Sequence, residues 1–135
     1  MKAVEEMHVV VLAGGPGSER EVSMASAKGV AGALEGEVRK VTFVDVQNEN
    51  FELPDDIDVA FNVIHGTFGE DGALQAELDK RGVIYTGARQ KSSEVAFEKI
   101  LSKEAFVAAG VTTPVSEVVM INEGNCSAGS VGIPC

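Results

Sequence analysis

Apolar positions along the chain alternate between two rhythms, short unbroken runs and stripes spaced three or four residues apart, and the changes of rhythm mark out strands and helices. His8-Val9-Val10-Val11-Leu12-Ala13 is an unbroken, β-branched run ending in Gly14-Gly15-Pro16-Gly17, which predicts a buried strand and a sharp turn. Over residues 18–35 the apolar residues Met24, Ala27, Ala31 and Leu34 form one helical stripe, with Gly36 placed as a left-handed stop. Residues 38–46 predict a second strand, 51–56 a polar, proline-containing connection, and 58–64 a third strand. Asp71 is placed to cap a helix over 72–81 that stops at Gly82, and 83–86 predict a short fourth strand. A further helix starts at Ser92 or Ser93, carries Phe97, Leu101, Ala105 and Ala108, and stops at Gly110; 115–121 predict a last strand.

Strands alternating with helices imply βαβ units, so the expected fold is α/β, with an open, mainly parallel sheet covered by helices on both faces. The near-continuous apolar strands agree with burial on both sides. No repeat of solenoid spacing is present. Residues 122–135 differ in kind, with three Gly, two Ser, two Asn and one Pro in fourteen positions, and are expected to form a flexible tail. Val131-Gly132-Ile133-Pro134-Cys135 resembles the approach to another strand, which suggests the front part of a longer protein. The expected organisation is a substrate domain over 1–90, the beginning of a second domain over 91–121, and the tail over 122–135.

Charge narrows the function classes. The 135 residues carry 21 acids and 11 basic side chains, a formal net charge of −10, which disfavours nucleic acid and anionic membranes as partners. Ten of the acids fall within residues 41–79, a stretch without Lys or Arg, and the bland explanation is a solvated acidic face. There is no run of about 18 apolar residues to span a membrane. Acids at Glu5 and Glu6 stand where a signal peptide would be basic and then apolar, so a cytoplasmic location is expected. Cys126 and Cys135 lie outside any CxxC spacing and support neither a disulfide framework nor a zinc site.

Three groups of residues carry candidate chemistry. The turn Gly14-Gly15-Pro16-Gly17-Ser18-Glu19-Arg20 invites a phosphate, since backbone N–H groups and the helix dipole attract anions. The dinucleotide fingerprint fails, because Arg20 stands where the third glycine belongs and Pro16 removes a donor. Glu19 would repel a phosphate at the helix start; it either stabilises the helix dipole or offers a partner for an ammonium group. The loop His65-Gly66-Thr67-Phe68-Gly69-Glu70-Asp71-Gly72 follows the third strand and should open on the same sheet edge, so Glu19 and His65 are candidates for one crevice. Glu70 and Asp71 have an ordinary role at a helix start. Lys99 and Lys103 share a helix face, and spacing alone makes them surface lysines.

Taken together, Gly14-Gly15 with Glu19-Arg20-Glu21-Val22-Ser23, His65-Gly66 with Gly69-Glu70-Asp71-Gly72 and Leu74-Gln75, Tyr85-Thr86-Gly87, and Lys99 with Lys103 resemble the N-terminal part of the D-alanine–D-alanine ligases. The resemblance implies a Rossmann-like first domain and the start of an ATP-grasp central domain. It also implies an ATP-dependent ligase of peptidoglycan precursor synthesis that joins two D-alanines through an acyl phosphate, with Mg2+ offsetting phosphate charge. On that pattern Glu19 is the catalytic-site carboxylate that holds the ammonium of the first D-alanine, Val22 and Ser23 lie beside it, and His65 lines the pocket. Glu70 stands behind the residues that touch substrate, and Lys99 reaches the nucleotide phosphates. No metal ligand falls within the chain, ATP would be held chiefly by domains outside it, and a homodimer is implied. The chain by itself is therefore expected to be inactive and to bind ATP weakly. Ala88 after Gly87 and Glu98 before Lys99 depart from the common pattern. A non-catalytic amino-acid-binding module, a D-alanine–D-lactate or D-alanine–D-serine ligase, or another ATP-grasp ligase remain the alternatives.

Overall fold

The structure is a computed structural model and describes residues 2–118. After one 3-10 turn at Val4–Glu6 come β1 (His8–Gly14), α1 (Arg20–Leu34), β2 (Lys40–Val46), β3 (Val59–Asn62), α2 (Ala73–Lys80), α3 (Gln90–Phe97) and α4 (Lys99–Ala108). The chain divides into two compact units, Met1–Phe97 and Glu98–Cys135.

The first unit is built around β1, all seven residues of which are buried. It is the central strand of a three-stranded sheet of order β2-β1-β3, parallel on both sides, with Val10 opposite Thr42 and Ala60. Alternate side chains leave opposite faces of a strand. Val10 and Leu12 accordingly pack with Val46, Phe51, Ala60, Ile64, Leu74 and Leu78, while Val11 and Ala13 pack with Ala27 and the partly buried Met24, Val30, Ala31 and Leu34. The helical stripe foreseen for α1 thus covers one face, and α2 covers the other. Each fully buried leucine in these clusters contributes about 1.5–3 kcal/mol.

No helix joins β2 to β3. Phe51, Leu53 and Ile57 of that crossover join the α2-side core instead, so the segment expected to be a polar connection is anchored by a buried aromatic ring. The Arg81 guanidinium lies 4.3 Å from the Phe51 ring centre and donates to the Phe51 and Glu49 carbonyls, which closes the crossover onto the end of α2. At the amino end of the sheet the ring of His8 is fully buried. Its Nδ1 lies 2.8 Å from Asp56 Oδ1 and its Nε2 2.8 Å from Thr42 Oγ1, and its backbone N–H donates to Asp58.

Several expected elements differ. The fourth strand is a single parallel bridge, Tyr85 to Ala60, because Gly82 and Gly87 in left-handed conformations bound a segment from which only Ile84 C=O and Thr86 N–H reach Ala60. The helix expected from Ser92 or Ser93 to Gly110 is two helices; the chain is extended at Glu98 (φ −87°, ψ 111°), and the Glu98 carbonyl accepts Ser102 N–H to begin α4 anew. Gly72, at φ 96°, is the cap residue of α2, and Asp71 one position earlier accepts the N–H groups of Phe68 and Ala73. Residues 115–118 form no strand, and 119–121 and the tail over 122–135 with both cysteines lie outside the described residues. No helix among the described residues is long and apolar enough to cross a membrane.

Candidate functional site

In the order β2-β1-β3 the chain leaves β1 toward one side and returns on the other, so β1 and β3 flank a topological switch point. Loops at the carboxyl ends of two such strands diverge and leave a crevice, the usual ligand position in open α/β sheets. Here the two loops meet. Gly14 and Gly15 take positive φ (93° and 88°), and a Cβ on Gly15 would lie 2.6 Å from Ile64 Cγ2, so only glycine lets the β1 turn approach the end of β3. Gly17 lies beside the backbone of His65 and Thr67.

Glu19 is the exposed cap residue of α1, yet its side chain makes no cap hydrogen bond. The carboxylate instead reaches across to the second loop, where Oε2 would stand 2.7 Å from a Cβ on Gly66. His65 is half-buried next to it. Its Nδ1 lies 3.5 Å from Glu70 Oε1 and its Nε2 3.4 Å from Ser26 Oγ. Val22 is exposed on the first turn of α1, whereas Ser23 is fully buried; its hydroxyl accepts Gly14 N–H at 2.9 Å and donates to the Val63 carbonyl at 2.6 Å. Among the candidates, Glu19, Ser23, His65 and Glu70 therefore lie at one crevice or its immediate support, and Val22 is exposed on the adjoining first turn of α1. Lys99 lies in the second unit, exposed in the first turn of α4, where with Ile100 and Lys103 it lines a cavity of about 680 Å³.

Sequence reasoning did not single out the residues that shape the loops. Asn62 Oδ1 accepts Ile64 N–H, while Asn62 Nδ2 and Gln75 Nε2 both donate to the Gly69 carbonyl, so two side-chain amides fix the middle of the His65–Gly72 loop. Phe68, packed against the core, is held at φ 75°, a strained value for a residue with a Cβ. Asn62 was a signal of sorts, a polar residue at the end of an apolar strand. Arg20, which spacing alone marked as a missing glycine, donates from Nη2 to both carboxylate oxygens of Asp45 (2.8 and 2.6 Å), which ties the β1 turn to the end of β2. Its guanidinium is thereby engaged one residue away from Glu19, which leaves that carboxylate open to an incoming cation. No group of three or more His, Cys, Asp or Glu side chains among the described residues is arranged to hold a metal ion.

The chain is similar to several known proteins. Residues 47–88 match the family model described as D-ala D-ala ligase N-terminus. The chain is 46% identical over 107 residues to a D-alanine–D-alanine ligase of Methylacidiphilum infernorum, covering 79% of this chain and 35% of that one. It is 41% identical over 114 residues to the ligase of Moorella thermoacetica, covering 80% and 36%. Among solved structures it is similar to the D-alanine–D-alanine ligase of Bacillus anthracis complexed with ATP (TM-score 0.77, 28% identity, 89% of this chain and 41% of that one). It is also similar to the ligase of Aeromonas hydrophila (TM-score 0.74, 29% identity, 90% and 53%). The chain spans about a third of the length of the curated relatives it matches.

Proposed function

We propose that this chain, which carries the N-terminal portion of the D-alanine–D-alanine ligase family, forms the first substrate's side of an ATP-dependent ligation of two D-alanines. The observation that carries this is the Glu19 carboxylate, free of its own helix cap and lodged over Gly66 at the switch point beside His65. An ammonium group is the ligand such a carboxylate suits, because three donors meet an acceptor already favoured by the positive end of α1. Val22 supplies an apolar edge for a small side chain. His65, with Ser26 and Glu70 3.4 and 3.5 Å from its two ring nitrogens, lines the pocket.

In the ligation, ATP transfers its terminal phosphoryl group to the carboxylate of this D-alanine. The amine of a second D-alanine attacks the acyl phosphate, and D-alanyl-D-alanine, ADP and phosphate leave. Lys99 contributes one cation toward the nucleotide phosphates. Magnesium would offset phosphate charge in such a transfer. The described residues supply no ligand set for it. Because D-alanine and ATP meet in the cytoplasm, that is the setting proposed for the protein, with a homodimer as its assembly.

Calorimetric titration with three ligands tests the assignment. D-Alanine is expected to bind, D-lactate, which lacks the ammonium, to bind at least about tenfold more weakly, and L-alanine to be disfavoured. Equal affinity for D-alanine and D-lactate would remove Glu19 from the site.

A further inference from the structure

Ser23 occupies an unusual place in the sheet. The parallel ladder between β1 and β3 pairs residues 9–12 with 59–62 and ends with Val63 N–H to Leu12 C=O. Since Leu12 pairs with Asn62, the next rung of a parallel ladder would be Gly14 N–H to Val63 C=O. That rung is not made directly. Gly14 N–H donates to Ser23 Oγ at 2.9 Å, and Ser23 Oγ donates to Val63 C=O at 2.6 Å, so a hydroxyl from α1 stands inside the ladder where one backbone bond would be.

The opening is confined to this side. Toward β2 the ladder continues without interruption, with Gly14 opposite Val46 and Gly15 N–H donating to the Val46 carbonyl at 2.7 Å. The end of β1 is therefore held on the β2 side, and on the β3 side the Ser23 hydroxyl stands between it and Val63. Beyond this point lie the Gly15 turn on one strand and the His65–Gly66 loop on the other. The hydroxyl is fully buried and both of its neighbours are backbone groups, which marks a spacer rather than a group offered to a ligand.

We propose that Ser23 is a positioning residue, a hydroxyl wedge that holds β1 and β3 apart at the switch point and so sets the distance between Glu19 and the His65–Gly66 loop. This rests on the crevice being the D-alanine site, as argued above, for its functional consequence but not for its structural one. It also separates Ser23 from Glu19, near which it lies at the start of α1: the Glu19 carboxylate reaches the second loop, and Ser23 spaces the two.

NMR on the isotope-labelled chain tests the wedge. In the unaltered protein the Ser23 hydroxyl proton is expected to exchange slowly and to show scalar coupling to the Val63 carbonyl carbon, with no coupling between Gly14 nitrogen and that carbon. In Ser23→Ala the missing rung closes, and the Gly14 nitrogen–Val63 carbon coupling appears. D-Alanine affinity then falls about ten- to a hundredfold, the scale expected of a displacement on the order of 1 Å in a binding site. A rapidly exchanging Ser23 hydroxyl in the unaltered chain, or a Ser23→Ala protein in which Gly14 N–H stays uncoupled and exchanges freely with water, overturns the wedge. Closure of the rung with D-alanine affinity unchanged overturns its positioning role. If the unaltered chain binds no D-alanine, the substrate assignment fails while the couplings still decide whether the wedge exists.

Discussion

The carboxylate of Glu19 lies so close above Gly66 that Oε2 and a Cβ at that position would be 2.7 Å apart, although 46 residues lie between the two in the chain. Gly66 also has φ 65°, which an L side chain rarely adopts. One glycine therefore meets two demands, a left-handed turn after β3 and room for a carboxylate that enters from α1. It joins the loops of the two strands that flank the crevice.

Gly66→Ala separates those demands. The backbone strain costs on the order of 1 kcal/mol, a few degrees in melting temperature. The added methyl group in addition drives the Glu19 carboxylate from its position, so D-alanine affinity falls by about tenfold or more, beyond what the modest destabilisation explains. Thermal melts set beside titrations check this; a variant that melts lower yet binds D-alanine normally would place the ammonium elsewhere.

Acid stability is governed from the opposite end of the sheet. The Asp58 carboxyl is held below its ordinary value of 3.8 by hydrogen bonds from Lys2 and from His8 N–H. Burial pushes the Asp56 carboxyl up, but hydrogen bonds from His8 and Arg39 outweigh it, so that group too lies below 3.8. A carboxylate whose folded value is lowered stabilises the protein above its unfolded value and loses that contribution as pH falls through the folded one. Asp58→Asn is therefore expected to melt lower than the unaltered chain near neutral pH, with the gap closing as the pH falls through the lowered Asp58 value. A gap that is constant from neutral pH to strong acid would show that ionisation of Asp58 contributes nothing.

Leu78 joins α2 to the β1–β3 face of the sheet and is fully buried. Leu78→Ala should destabilise the first unit by about 2–5 kcal/mol, most of it through the cavity left between helix and strands. Chemical denaturation measures this directly, and a loss below about 1 kcal/mol would mean that α2 closes onto the sheet without that side chain.

How much of this was legible in the sequence follows from the range of the forces concerned. β1, β2, β3, α1 and α2 were legible because their apolar rhythms come from neighbours a few residues apart, and glycine stops such as Gly36 and Gly82 act locally. That the Gly14–Gly17 turn and the His65 loop share one sheet edge followed from parallel topology alone. The break at Glu98 was not legible, because an apolar stripe through Phe97 and Leu101 reads the same whether the backbone continues or restarts. The short β3-side bridge at Tyr85 escaped for a similar reason, since β-branched content does not count the available rungs. Ser23 and Ser26 stood in the chain as ordinary polar helix positions. Their partners, Val63 and His65, are about 40 residues away, and no local pattern announces a hydrogen bond across that separation.

The central claim, that Glu19 receives the ammonium group of D-alanine at the β1–β3 switch point, is tested most directly by titrating D-alanine into the 15N-labelled chain and its Glu19→Gln variant. The unaltered chain should show saturable shifts of the Gly15, Glu19, His65 and Gly66 amides, and the variant, with an amide in place of the charge, should bind at least about tenfold more weakly while keeping the remaining spectrum. Equal affinity in the two proteins, or shifts confined to residues away from these loops, would contradict the account.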